Sequence, residues 1–367
     1  MIVSVIGGLM VARLAWSFWN ANGVWSGRAR RHARAGTTIA IVTFVAALST
    51  PRLASATIYT WIKGGGGSWT SASNWSCSTQ GGDCTVKYPH AAGDAAFFTA
   101  PSTGTREISI PNNTSITVGM IFLGGAHEVR ITGGIGAVLH LDNGAIPALI
   151  LRTEPSTSSG FVDEIGATVV LHTRVEIVPQ GEFLSITGSF TDDGGGRTLT
   201  KYGSGQIRLW APVTYGGPTI IADGSLFVAS TAGPRLLGSL VIGDDVGGGQ
   251  SARLTMARFE GLDDAANIVV KSDGLLDIFA ADRVGDITVQ NGVVAVHNAT
   301  LAMHSLTTTG VSELRSHDGA HFALEGDVSV TGTCRIIRSS GRVAARSTWV
   351  RPRAPSRSSI PTRAATR

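Results

Sequence analysis

Three pairs of adjacent aspartates are the strongest acid–base candidates in the sequence: Asp192 with Asp193, Asp244 with Asp245, and Asp263 with Asp264. Convergent carboxylates could cleave a polysaccharide, with help from a bound Ca²⁺ or a basic side chain. Each pair lies close to glycine or alanine in a segment of turn-like composition, where carboxylates commonly accept backbone N–H groups. We therefore expect these acids to cap turns, with a polysaccharide lyase or hydrolase as the alternative.

The histidines and serines add no stronger candidate for a catalytic or metal-binding site. His317 and His321 have the i, i+4 spacing of a helical metal site, but the Asp-Gly between them predicts a turn that separates the two rings. Dispersed histidines such as His140 and His172 predict ordinary polar positions on strands. Ser204 lacks the glycine that a nucleophile elbow has two residues before its serine, because Tyr202 occupies that position. No P-loop, dinucleotide fingerprint or calcium-binding repeat occurs, so no catalytic residue, metal or cofactor is expected.

Aromatic residues gather in the segment 57–105, where Trp61, Trp69 and Trp75 accompany several glycines. Indole rings stack on sugars, so these three residues could bind a glycan through a carbohydrate-binding module. They could instead cover the exposed end of a stacked β-structure, whose first coil has an open row of backbone donors. The capping interpretation is the simpler one, and glycan stacking remains the alternative.

Cys77 and Cys84 enclose the glycine-containing loop "CSTQGGDC". In an oxidising compartment this spacing favours a local disulfide, and two free thiols are the alternative. Cys334 has no obvious partner in the sequence.

The segment "RARRHARAGTTIAIVTFVAALSTPRLASA" has the three parts of a secretory signal. Arginines between 28 and 34 precede an apolar run over 39–48, and Ala54 and Ala56 form an A-x-A cleavage site. The run is too short to cross a bilayer. Residues 1–56 are thus expected to be an extended N-terminus with a signal peptide cleaved near Ala56. Residues 1–27 fit a longer signal, a weak membrane segment interrupted by Arg13, or sequence upstream of the true start.

The net charge of +4 conceals an uneven distribution. Six arginines lie in residues 1–56 and nine in residues 335–367, and neither end contains an acid. The middle therefore carries 15 basic residues against all 26 acids, a net charge of −11. An acidic body argues against binding to a phosphate backbone, which needs clustered Lys and Arg.

From residue 59 to about 332 the chain is a succession of short alternating segments that end at Asp-Gly, Asn-Gly or Gly-Gly. The 47 glycines and the recurrent Val, Ile and Thr predict strands rather than helices. Degenerate repetition over more than two hundred residues favours a β-solenoid whose coils turn at these dipeptides. A β-sandwich, with the same dipeptides in hairpins, is the alternative.

The segment "LTKYGSGQIRLWAPVTYGGPTIIADGSLFVAS", residues 199–230, resembles one autotransporter-associated β-strand repeat, the passenger-associated repeat of exported bacterial proteins. The matching residues are Leu199, Lys201, Gly203, Gly205, Leu209, Tyr215, Gly217, Thr219, Gly224, Leu226 and Val228. Pro218 and Asp223 depart from the pattern. The resemblance is good over 199–335 and loose over 59–198, and the Trp-rich segment resembles the start of such proteins.

The resemblance implies a right-handed parallel β-helix over residues 106–334, exported through the Sec pathway by a Gram-negative-type bacterium. The implied role is structural or adhesive, secreted or at the cell surface and without catalysis. Cell-surface glycans or the outer-membrane export machinery are the expected partners, with no nucleic acid and no small-molecule cofactor. Residues 335–367 predict a basic disordered tail or a reading-frame slip near Cys334, and no terminal membrane β-barrel pattern follows.

Overall fold

The computed structural model of the chain describes residues 57–79, 84–102, 104–125, 127–152, 162–181, 183–229, 236–259 and 261–338. These residues form β-strands and one short 3₁₀ helix, Ala72–Asn74. Within them, no helix is long and apolar enough to cross a membrane.

The first fifteen strands in chain order are β1 (Thr57–Trp61), β2 (Gly67–Ser68), β3 (Trp75–Thr79), β4 (Ala95–Phe98), β5 (Arg106–Ile110), β6 (Ser115–Val118), β7 (Met120–Leu123), β8 (Val129–Gly133), β9 (Val138–Leu141), β10 (Ala148–Arg152), β11 (Val162–Ile165), β12 (Thr168–Leu171), β13 (Val175–Val178), β14 (Phe183–Ile186) and β15 (Phe190–Asp192). They are followed by β16 (Leu199–Lys201), β17 (Gln206–Leu209), β18 (Thr219–Ile221), β19 (Gly224–Val228), β20 (Leu240–Ile242), β21 (Ala252–Met256), β22 (Ile268–Val270), β23 (Gly274–Ile278), β24 (Asp282–Gln290), β25 (Val293–His297), β26 (Thr300–His317), β27 (His321–Leu324) and β28 (Val328–Arg338).

The strands build a parallel β-solenoid of about ten turns with three faces. Face A contains β1, β4, β7, β10, β13, β16, β18, β20 and β22, and face B contains β2, β5, β8, β11, β14, β17, β19, β21, β23 and β25. Face C contains β6, β9, β12 and β15. The long strands β24, β26 and β28 bend from one face to the next. The predicted solenoid is confirmed, and the sandwich is wrong because successive coils pair in parallel; among these pairings only β1 with β3 is antiparallel.

The core of the solenoid consists of columns of aligned side chains. Along face A one buried column contains Ala148, Val175, Leu199, Thr219, Leu240, Ile268, Ile287 and Leu306, each in register with the next. Alternate residues point outward, which gives most strands their alternation of buried and half-buried positions. Each coil therefore buries its apolar row only when the neighbouring coils are present.

Glycine and asparagine occupy corners where the backbone needs a positive φ. Gly224, in the Asp-Gly between β18 and β19, has a φ of 69°. A Cβ there would lie 2.3 Å from the Gly203 carbonyl oxygen, so the close stacking of these corners requires glycine. In the Asn-Gly before β25 it is Asn291 that has the positive φ, 59°. The expected use of these dipeptides as coil corners is confirmed.

Three buried cations satisfy backbone carbonyls between faces A and B. Lys201 is fully buried, and its Nζ donates to the carbonyl oxygens of Tyr202 (2.9 Å), Gly203 (2.5 Å) and Asp223 (2.9 Å). Arg106 donates to two carbonyls in an early coil, and Arg152 pairs with the buried Asp163. The carbonyl groups that turn inward at these corners thus find donors inside the solenoid.

An aromatic cluster closes the N-terminal end. Strands β1 and β3 place Trp61 opposite Trp75, with ring centroids 5.0 Å apart. Phe98 contacts both rings, and Trp69 contacts Trp75 and Phe98, at centroid distances of 5.3–6.0 Å. The predicted Trp-rich cap is confirmed. At the other end, β28 remains paired with β26 as far as Arg338, so regular structure continues past Cys334.

Candidate functional site

Polar side chains converge at the corner between face C and face A. Asp142, His172 and Asp193 each follow a face C strand, and the strand register places them at the same position on three successive coils. His140 lies on β9 beside them, and its Nδ1 is 2.8 Å from Nε2 of His172. The chain thus brings together residues from positions 140 to 197 that are far apart in the sequence.

An ion pair orders this corner. The Arg197 Nε donates to one oxygen of Asp193 (2.9 Å) and its terminal nitrogen donates to the other (2.7 Å), while His172 Nδ1 lies 3.5 Å from the same carboxylate. The bond from Arg197 holds the pKa of Asp193 at about 2, and burial followed by repulsion from His172 lowers the pKa of His140. The carboxylate of Asp193 thus holds the guanidinium of Arg197 and faces His172, which in turn contacts His140.

A groove of about 410 Å³ opens next to this network. Its walls are the corner loops of three coils, and the residues that line it are Gly144, Ala145, Ile146, His172, Thr173, Arg174, Gly195, Gly196, Arg197 and Thr198. The lining includes two guanidinium groups and one imidazole, and no carboxylate. A space of this size is within the range of small-molecule sites in proteins.

The first aspartate pair caps backbone groups at this corner. Asp192 accepts hydrogen bonds from the N–H groups of Gly194, Arg197 and Gly216. Burial opposes its ionisation, but these three donors outweigh burial and lower its pKa. Asp193 accepts a further bond from the N–H of Gly195.

The other two pairs have similar contacts at other corners. Asp244 accepts from the N–H of Val246, and burial raises the pKa of Asp244. Asp245 accepts from the N–H of Ser272 (3.2 Å), which lowers its pKa, and Asp263 accepts from the N–H of Ala265 (2.8 Å). Asp264 also interacts with a neighbouring group. The predicted turn caps are confirmed for five of the six carboxylates.

His317 and His321 do not share a site. A turn with a φ of 54° at Asp318 separates them, and the ring of His317 stacks on His297, which stacks on Phe279, at centroid distances of 4.5 and 4.3 Å. The described residues contain no group of three or more His, Cys, Asp or Glu that could hold a metal ion.

The glycan-stacking alternative for the Trp-rich segment is wrong. Trp61 and Trp69 have no exposed surface and Trp75 is 5% exposed, so no ring face is open to a sugar. Their indole N–H groups donate to the carbonyl oxygens of Gly65, Pro89 and Trp69. A large aromatic surface with one satisfied donor belongs in a core, and here it forms the end of the core.

Of the remaining predicted residues, the cysteines lie within the described chain and the signal-cleavage residues lie outside it. Cys77, on β3, forms a disulfide with Cys84, with a Cα–Cα distance of 6.0 Å, and Cys334 is a free, half-buried thiol. Ala54 and Ala56 lie outside the described residues, as does most of the basic C-terminal segment. Export therefore stays a prediction from sequence.

Comparisons with known proteins do not assign the chain to a family. It matches no protein-family model, no curated protein and no solved structure. The resemblance to autotransporter-associated repeats thus remains an expectation based on the residues quoted for it.

Proposed function

We propose that the chain is an exported, non-catalytic β-solenoid with a structural or adhesive role outside a Gram-negative-type cell. One observation carries the non-catalytic part: the acids most suited to polysaccharide cleavage accept backbone N–H groups at coil corners. Of the six paired aspartates, five accept such a bond. A carboxylate engaged with backbone N–H groups is poorly placed to act as an acid or base on a polymer.

The architecture supports a scaffold role. Lys201 and Tyr215, two polar residues in the repeat-like segment, are both fully buried. Tyr215 hydrogen-bonds Thr219 at 2.5 Å inside the core, and burial raises its pKa. The repeat residues with reactive side chains are thus used to hold coils together, as a long display surface requires.

The sequence supports export and surface location. The signal-like N-terminus would deliver the chain to an oxidising compartment, where the Cys77–Cys84 disulfide persists. An acidic body with a large outward surface is suited to contacts outside the cell rather than to nucleic acid.

Export is tested by expressing the full chain in a Gram-negative host and determining the N-terminus of the secreted or periplasmic product. We expect cleavage after Ala56, so that the product begins at Thr57. Ala54→Phe should block processing because the cleavage site needs a small residue there, whereas the matched change Ser55→Phe should be tolerated. A product that retains residues 1–56, or equal processing of both variants, would contradict export by this signal.

Surface location is tested on the same cells with an antibody to the folded solenoid. Labelling of intact cells or recovery from the medium is the expected result. Protein found only in the cytoplasm would refute the proposed location.

A further inference from the structure

The groove at the corner between faces C and A has basic side chains on its walls, unlike the acidic body around it. The region between the two basic ends has a net charge of −11, yet the groove lining contains Arg174, Arg197 and His172 and no acid. The carboxylate of Asp193, which pairs with the lining residue Arg197, also accepts a backbone N–H. An anion that enters the groove therefore meets donors and no competing carboxylate on its walls.

Arg174 is the cation best placed to receive such an anion. It is exposed, it lines the groove, and among the described residues it has no ion-pair partner. Its electrostatic neighbour is Glu176 on β13, and burial raises the pKa of that carboxyl. An exposed planar guanidinium is suited to bidentate binding of a carboxylate.

The rest of the groove favours a hydroxylated ligand. Arg197 is held by Asp193 through its Nε and one terminal nitrogen, so its other terminal nitrogen is an oriented donor. Both ring nitrogens of His172 face neighbours, His140 and Asp193, so His172 contributes a wall of the groove. Ile146, which is 41% exposed, supplies an apolar contact for a ring face. Glycines on the walls leave backbone groups accessible without side chains in front of them.

We propose that this groove binds a carboxylate-bearing saccharide unit, with Arg174 on the carboxylate and the remaining terminal nitrogen of Arg197 on a neighbouring hydroxyl group. No covalent step is involved. The proposal rests on the groove alone and does not depend on the export and surface role proposed above.

The test is calorimetric or NMR titration of the full chain with three probes: a uronate disaccharide, the neutral disaccharide with the same linkage, and inorganic sulfate. We expect the uronate disaccharide to bind at least about tenfold more tightly than either of the others, since a hydrogen-bonded ion pair adds about that much affinity. Arg174→Gln should weaken uronate binding about tenfold or more and leave neutral-disaccharide binding unchanged.

Arg335→Gln is the matched control, because Arg335 is exposed on the last coil with only a 3.9 Å contact to Glu313. It should bind like the unmodified chain, and thermal unfolding should show that both variants are folded. Equal affinity for the uronate and neutral disaccharides would overturn the proposal. So would equal affinity for sulfate, which would indicate a simple oxyanion site, or equal loss of binding in both variants.

Discussion

The buried ammonium of Lys201 provides the sharpest test of how this solenoid is held together. Its neighbours above and below in the core column are Ile177 and Ile221, so an apolar residue would continue the column. Packing alone therefore predicts that Lys201→Met is neutral or stabilising. The hydrogen bonds predict the opposite, because the substitution leaves the carbonyl groups of Tyr202, Gly203 and Asp223 without this donor.

The size of the expected destabilisation follows from these three hydrogen bonds. Hydrogen bonds from a charged donor contribute about 1.5–3 kcal/mol each, so their loss costs about 4–9 kcal/mol. Methionine is uncharged, so the variant avoids the desolvation cost of a buried ammonium, which offsets several kcal/mol of this loss. We expect a net decrease of about 3 kcal/mol in local opening free energy, which is roughly a 150-fold increase in exchange rate.

Hydrogen-exchange mass spectrometry on peptides from β16 to β19 measures this change directly. Lys271→Met is the matched control, since Lys271 makes a partly exposed ion pair with Asp245 at 3.1 Å. Such a pair contributes at most about 1 kcal/mol, so the control should change exchange by less than about fivefold. Unchanged or slower exchange in Lys201→Met would refute the reasoning and favour the packing argument.

Four further predictions concern the cap and the groove. Trp69→Ala should lower the free energy of unfolding by about 3–5 kcal/mol while a glycan array on the folded variant stays unchanged; a selective loss of glycan binding would contradict its burial. The carboxyl of Asp193 should titrate near 2 by NMR, and its contribution to stability, complete above the unfolded pKa of 3.8, should be lost as the pH falls through about 2; a value near 4 would exclude its ion pair. Thr173→Val should raise stability by about 1 kcal/mol in urea titration, because its buried Oγ1 has no hydrogen-bond partner; a decrease would show that the hydroxyl is bonded. Replacing Cys77 and Cys84 together by alanine should cost roughly 2–3 kcal/mol and speed exchange in β1 and β3; unchanged exchange would show that the loop closure contributes nothing.

Much of the fold can be predicted from one repeat-like segment. In residues 199–230, the leucines and valines at alternate positions lie in the core columns, and Gly224 lies where two corners come into contact. These features are local, since a strand alternates with period two and a tight corner excludes a Cβ. The alternation of apolar residues therefore predicts the strands, and the glycines predict the turns between coils.

Burial of the tryptophans depends on a pairing that residue types do not specify. An indole near glycines suits a sugar platform as well as a core, and the choice is decided by the antiparallel pairing of β1 with β3. That pairing turns Trp61 and Trp75 toward each other and away from solvent. The glycan alternative could not be excluded before this register was known.

The groove could not be predicted because it depends on the length of each coil. His140 and His172 are 32 residues apart and Asp193 follows 21 residues later, so no fixed period relates them. Corner loops of unequal length bring them together once the strands β9, β12 and β15 are in register. Aligning the alternating segments by coil was the one signal that could have shown it.

The central claim, a scaffold that binds but does not cleave, is tested most directly by incubating the purified chain with uronate-containing and neutral polysaccharides. Size-exclusion chromatography with light scattering then reports both the molar mass of the polymer and the fraction of protein bound to it. We predict that the molar mass stays constant and that protein co-elutes with the uronate polymer. A fall in molar mass that Asp192→Asn or Asp244→Asn abolishes would contradict it.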